Sequence, residues 1–218
     1  YRGELSNPGE LLRLEDTYGN FVDELDYMNH GDWPDSTKGG GSSMELVNPW
    51  MNNSRASAWR DSYEVNKSSF REYVAKGRYR QLKTEGGAGD YREFHMHLVG
   101  DSEIVLKDIK VTTSRNSNKN VLINSSKMSP NGKSSNGWLA QGTHWATYMD
   151  QSGLHLISDG HGDNRPNRME VDMSTDIRRN DDATIRFKAR WVRGNPRLIA
   201  WTWDKSLAGS FLIEIPEN

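Results

Sequence analysis

Cysteine is absent from all 218 residues. That single fact excludes disulfides, thiolate metal sites, cysteine nucleophiles and iron–sulfur clusters. It does not fix a compartment, because a domain large enough to build a core can be exported without disulfides. No apolar run approaches the roughly 20 residues a membrane-spanning helix needs. No basic start followed by an apolar stretch marks a signal peptide. Neither sign of charge dominates: 28 Lys and Arg stand against 30 Asp and Glu, for a net charge of -2. A nucleic-acid-binding face calls for clustered basic residues, so nucleic acid is not an expected partner. Helical periodicity is scarce. The segment 68–76 (SSFREYVAK) places Phe70, Tyr73 and Val74 at helical spacing and predicts one short helix or turn. No Gly-x-Ser-x-Gly elbow, phosphate-binding Gly-Lys loop or His-Glu-x-x-His motif occurs.

What is abundant is aromatic and turn-forming: 8 Trp, 8 Tyr and 20 Gly. Residues 10–14 and 21–27 flank Asp16-Thr17-Tyr18-Gly19-Asn20, a turn sequence that predicts a hairpin. A long loop over 29–43 and a short strand over 44–47 follow, and then an ordered loop, 48–62, pinned by Trp50 and Trp59. Farther on, alternation with period two is clean. Phe94, Met96 and Leu98 point one way while Glu93, His95 and His97 point the other. Ile104, Leu106 and Val111 form a buried set with an irregularity near Asp108. Ile185, Phe187, Ala189 and Trp191 face in, against Arg186, Lys188 and Arg190 facing out. Ile199, Trp201 and Trp203 share one side of their strand, and Phe211, Ile213 and Ile215 share one side of theirs. Short strands with turns between them predict an all-β, antiparallel β-sandwich with little helix. The Ser-, Asn- and Lys-rich stretch 112–137 reads either as a linker or as long loops around strand 120–123.

The stretches 5–14 (LSNPGELLRL), 19–27 (GNFVDELDY), 32–34 (DWP), 39–46 (GGGSSMEL), 48–49 (NP) and 58–62 (AWRDS) resemble, in order, the C-terminal half of a bacterial lamin-tail domain. The resemblance implies an Ig-like segment over 1–62, no catalytic residues, and a place in a large exported multidomain protein. It also implies that this sequence starts partway through such a domain, so that its first strands need another partner. Residues 63–77 are then a connector. Residues 78–218 resemble a galactose-binding-like jelly roll of the kind used as a carbohydrate-binding module, on 103–111 (EIVLKDIKV), 120–124 (NVLIN), 137–138 (GW), 142–144 (GTH), 154–156 (LHL) and 183–192 (ATIRFKARWV).

Two loops carry the candidate chemistry. In 138–148, Trp138, Trp145 and Tyr148 offer flat rings for the apolar face of a sugar, with His144 beside them. The alternative is that the tryptophans close the end of the sandwich. In 158–168, Asp159, Asp163 and Asn164 carry oxygens suited to Ca²⁺, while Arg165 and Asn167 can grip vicinal hydroxyls. The alternative is a self-bonded turn. His95 and His97, at i and i+2, could start a zinc site if His144, His155 or His161 supplied a third ligand. The stripe of Arg186, Lys188 and Arg190 reads as a solvated sheet face, with Asp176, Asp181 and Asp182 near in sequence to neutralise it.

The expectation is a non-catalytic module that binds carbohydrate or another surface polymer, beside neighbouring domains of an extracellular or cell-surface protein. The alternatives are a structural spacer or adhesion domain, and a hydrolase using a metal or a carboxylate pair.

Overall fold

In the computed structural model, residues 5–6, 8–34, 37, 42–62, 68–78, 92–116, 119–160, 162, 166–178, 180–202 and 207–215 are described. Strands β1 (Gly9–Glu15) and β2 (Phe21–Met28) pair as the expected hairpin. Asp16 closes it: its Oδ1 accepts the backbone N–H groups of Tyr18 and Asn20 at 2.9 and 2.8 Å. Gly19 supplies the left-handed residue, with φ of 81°. Strands β3 (Met44–Leu46) and β4 (Trp59–Asp61) form a second small pair. Trp59 does pin its loop, donating Nε1–H to the Asn53 carbonyl at 2.7 Å. Trp50 does not, since it is 91% exposed.

The remaining strands build two five-stranded antiparallel sheets. The first runs β5 (Arg71–Arg78), β12 (Asp182–Gly194), β7 (Asp101–Thr113), β10 (Gly153–Asp159), β9 (Tyr148–Asp150). The second runs β14 (Ala208–Leu212), β13 (Arg197–Thr202), β6 (Glu93–Leu98), β11 (Arg168–Asp172), β8 (Leu139–Gln141). Apart from the β9–β10 and β13–β14 hairpins, each successive strand from β6 onward lies in the opposite sheet, so the chain crosses the sandwich repeatedly. This is the all-β architecture the alternation predicts.

The core lies between the sheets and draws on the inward positions of both. Phe94, Met96, Ile104, Leu106, Val111, Ile185, Phe187, Ala189 and Trp191 are all buried there. Phe187 packs edge-on against Phe211 at 4.8 Å and stacks on Tyr73 at 5.6 Å. Burying one such aromatic side chain contributes up to about 3 kcal/mol. The irregularity near Asp108 is a bulge: Asp108 has φ of 54°, and three steps of β7 oppose two of β12 between Arg186 and Lys188.

One expectation is corrected, one alternative is decided and one shared face is placed. Residues 71–78 form an edge strand and not a helix, because Tyr73, Ala75 and Gly77 alternate inward against β12. Part of the expected connector is therefore a strand of the sandwich. The stretch 112–137 belongs to the sandwich and is no linker: Val121 and Leu122 are buried, and Leu122 bridges to Met173. Ile199 and Trp201 do share a side, but it faces away from the core, and Leu198 and Ala200 fill the inward positions. Trp203 lies outside the described residues.

Candidate functional site

The outer face of the second sheet carries a polar grid fixed by strand register. Across one row lie Leu139, Glu170, His95 and Trp201, from β8, β11, β6 and β13 in turn. The next row holds Gln141, Arg168, His97 and Ile199, and Asp172 pairs with Glu93 on the other side. Residues opposite each other in a ladder point to the same face, so eight polar or aromatic side chains from four strands converge here. Gln141, Arg168, His97, Trp201 and Glu93 are half-buried, while His95 and Glu170 are buried beneath them.

Hydrogen bonds set the histidine tautomers. An indole N–H can only donate, so the 3.0 Å contact from Trp201 Nε1 to His95 Nδ1 leaves that nitrogen unprotonated. Neutral His95 then carries its proton on Nε2, 3.0 Å from Glu93 Oε2. His144 Nε2 accepts the Leu98 backbone N–H at 3.0 Å, so its Nδ1–H donates to Thr143 Oγ1 at 2.9 Å. His97 donates Nδ1–H to the Asn167 carbonyl at 2.8 Å. Its Nε2 lone pair is buried with no partner. The Oε1 of Gln141, in the same row, is likewise buried and unpartnered. Two unsatisfied acceptors on one face, flanking a guanidinium, are costly unless a ligand supplies donors.

Electrostatics agree with the tautomers. Burial pushes His95 down to about 3, with nearby Arg168 and His97 adding to it. Burial likewise pushes His144 down to about 4 and holds His97 below its usual value. Burial and the Glu170 carboxylate push Glu93 up. Arg168 grips Glu170 Oε2 through both Nε and Nη2 at 2.7 Å, and stands 3.8 Å from Glu93.

Two arrangements imitate catalytic centres. Glu93, His95 and Glu170 hold their ligand atoms within 4.8 Å of one another, a spacing a divalent cation could bridge. The Trp201 hydrogen bond opposes this, since the proton it forces onto Nε2 occupies the lone pair a metal needs. Among the described residues the candidate zinc ligands do not converge with free lone pairs either. The rings of His95 and His144 each lie 6.3 Å from that of His97, but the inward lone pairs of His95 and His144 accept protein N–H groups.

The second imitation is on the other sheet. Ser152 Oγ is 2.6 Å from His155 Nε2, and His155 Nδ1 is 3.0 Å from Glu103 Oε1, the order of a Ser–His–acid triad. Asp150 Oδ1 sits 2.6 Å from that same Ser152 oxygen. A carboxylate there repels the negative charge an acyl-transfer transition state develops. The network instead ties the β9–β10 hairpin to β7.

The sequence-derived candidates scatter. Trp138 is fully buried, edge-on to Phe94 at 6.3 Å, with Nε1–H donated to the Ser125 carbonyl, so it has no face to offer. His144 is buried and braces the end of β6. Trp145, the next residue, is 68% exposed. Tyr148 is part-exposed and stacks on His155 at 4.3 Å, away from the grid. Asn167 joins the two candidate loops: its Oδ1 accepts the Thr143 N–H at 3.0 Å and its carbonyl orients His97. Gly142, with φ of 56°, allows that approach, as a Cβ there would run into Asn167. Asp159 is exposed at the end of β10. Asp163, Asn164, Arg165 and His161 lie outside the described residues. Gln141, Arg168, Glu170 and Trp201 were missed. Only the strand register, which one sequence does not reveal, brings them beside the His95/His97 face.

Two members of the basic stripe are neutralised, though by other partners than expected: Arg186 pairs with Glu72 at 2.7 Å and Lys188 with Asp108 at 2.9 Å, while Arg190 lies over the Phe70 ring at 5.3 Å. Among the described residues no helix is long and apolar enough to cross a membrane. Comparison with protein-family models, with curated proteins and with solved structures finds no match to this chain.

Proposed function

We propose that this chain is a non-catalytic binding module that takes a carbohydrate on the outer face of the second sheet. The observation that carries this reading is the pair of buried, unpartnered acceptors, His97 Nε2 and Gln141 Oε1. A sugar ring presents hydroxyl donors spaced to meet such acceptors, and Arg168 between them donates to hydroxyl oxygens. Trp201, whose ring lies 4.5 Å from that of His97, adds a flat apolar surface beside them. The hydrogen-bonded states of His95 and Ser152 argue against metal-assisted and acyl-transfer chemistry at the two catalytic look-alikes.

By this reading the site belongs to an extracellular or cell-surface protein, with a surface glycan as its partner. Calorimetry of the chain against soluble oligosaccharides tests it. His97→Ala and Gln141→Ala should each weaken binding about tenfold, the effect of losing a ligand hydrogen bond worth about 1.4 kcal/mol. Binding that both variants retain in full would refute the site. A spacer role is the second reading, and the hairpin favours it: Leu11, Leu14, Phe21 and Val22 are all more than half exposed, as suits a segment that packs against a neighbouring domain.

A further inference from the structure

The charge on the grid is unbalanced. Glu93, Glu170 and Asp172 bring three carboxylates to one side of the face. Arg168 is the only described cation that the ladder pairings place among them, and its Nε and Nη2 both engage one oxygen of Glu170. The histidines do not help: His95 and His97 are held neutral by burial. Among the described residues Asp172 is met only by the Ser134 hydroxyl, at 2.6 Å, which carries no charge. Glu93 keeps a third of its side chain exposed, and its contacts are the neutral His95 N–H and Arg168 at 3.8 Å. A half-buried carboxylate with like charges behind it and no committed cation attracts a positive group and repels a negative one.

Resting on the carbohydrate reading above, we infer that the ligand is an amino sugar polymer whose free ammonium group pairs with Glu93. The hydroxyls of one sugar would meet His97 and Gln141, and the ammonium of another along the polymer would reach the exposed oxygen edge of Glu93 two rows farther along the face, beyond the His95 row. An uronate or a sulfated sugar would place its anion against the same carboxylates and be rejected. The upward pull on Glu93 from burial and from Glu170 is the cost that a bound ammonium relieves.

Calorimetry on the full chain at pH 6, at low and at high salt, tests this with three probes of matched length: oligomers of glucosamine, of glucose and of galacturonate. The expected order is glucosamine tightest by roughly tenfold, then glucose, with galacturonate undetected. Salt should weaken the glucosamine oligomer more than the glucose oligomer. Glu93→Gln keeps an acceptor for His95 Nε2–H, and should narrow the gap between the glucosamine and glucose oligomers. Equal binding of both, sensitive to His97→Ala, would overturn the ammonium inference while leaving the carbohydrate reading intact, as would tightest binding of galacturonate. Binding of none of the three would overturn both.

Discussion

The folded chain should lose stability well before its carboxylates titrate, because its buried histidines accept hydrogen bonds that a proton would break. Protonating His144 puts a hydrogen on Nε2, where the Leu98 N–H already points. Protonating His95 sets Nδ1–H against the Trp201 N–H. The folded-state values of about 3 for His95 and about 4 for His144 lie far below the ordinary value near 6.5. The unfolded chain therefore takes up these protons first, and stability is full above about pH 6.5 and falls as the pH drops below it. Each group then costs about 1.4 kcal/mol per pH unit until its folded-state value is reached. At pH 5 the loss is about 2 kcal/mol from each, or about 4 kcal/mol together. That is a large share of the roughly 5–15 kcal/mol that holds a domain folded. The carboxylates held low by hydrogen bonds, Asp16, Asp150 and Asp182, withdraw their share only at lower pH. Glu93, pushed up, works in the opposite direction by taking its proton in the folded state first. The assay is urea denaturation at pH 8, 6 and 5. His144→Gln can still accept the Leu98 N–H without titrating, so it should flatten the slope by about half. A stability that stays level from pH 8 to pH 5 would refute the tautomer assignments.

Other outcomes follow from the same packing. Trp138→Ala should cost about 3–5 kcal/mol in denaturant unfolding, whereas Trp50→Ala should stay within about 0.5 kcal/mol of the parent; similar effects would contradict their burial. Zinc should not raise the melting temperature through Glu93, His95 and Glu170, because Trp201 holds the proton on His95 Nε2. Trp201→Phe removes that constraint and should create a zinc-dependent rise. Zinc stabilisation of the parent that His95→Gln abolishes would disprove this. Ser152 should fail to react with a fluorophosphonate probe, because Asp150 opposes charge on its oxygen; stoichiometric labelling at Ser152 by mass spectrometry would show otherwise.

The sandwich was legible because alternation alone decides which side of a strand is wet. Phe94, Met96 and Leu98 opposite Glu93, His95 and His97 could be read without knowing any partner strand. The helix expected near Ser68 failed because Phe70, Tyr73 and Val74 satisfy helical spacing while Tyr73, Ala75 and Gly77 satisfy strand spacing, and nine residues do not choose between them. β12 chose, by pairing along the whole of β5. The site was half legible. His95 and His97 were visible as a polar face, but what that face contains depends on which strands flank it. Nor could Trp138 be told from Trp145 in sequence: both sit among small and polar residues, and only the bridge between Met128 and Trp138 draws the first inside.

The order of strands in the second sheet has a consequence for how the molecule comes into being. β6 is flanked by β11 and by β13, and the Trp201–His95 hydrogen bond spans 106 residues. Contacts of such long separation form slowly, since the loop must close before the pairing rewards it. As the chain emerges during synthesis, β6 stands with an open edge until its last neighbours arrive. Until then the Trp201 N–H that fixes the His95 tautomer is missing from the grid. The polar face is thus completed only when β13 arrives, and a truncation before β13 would strip Trp201 and Ile199 from it while leaving the strands that carry the rest of the face.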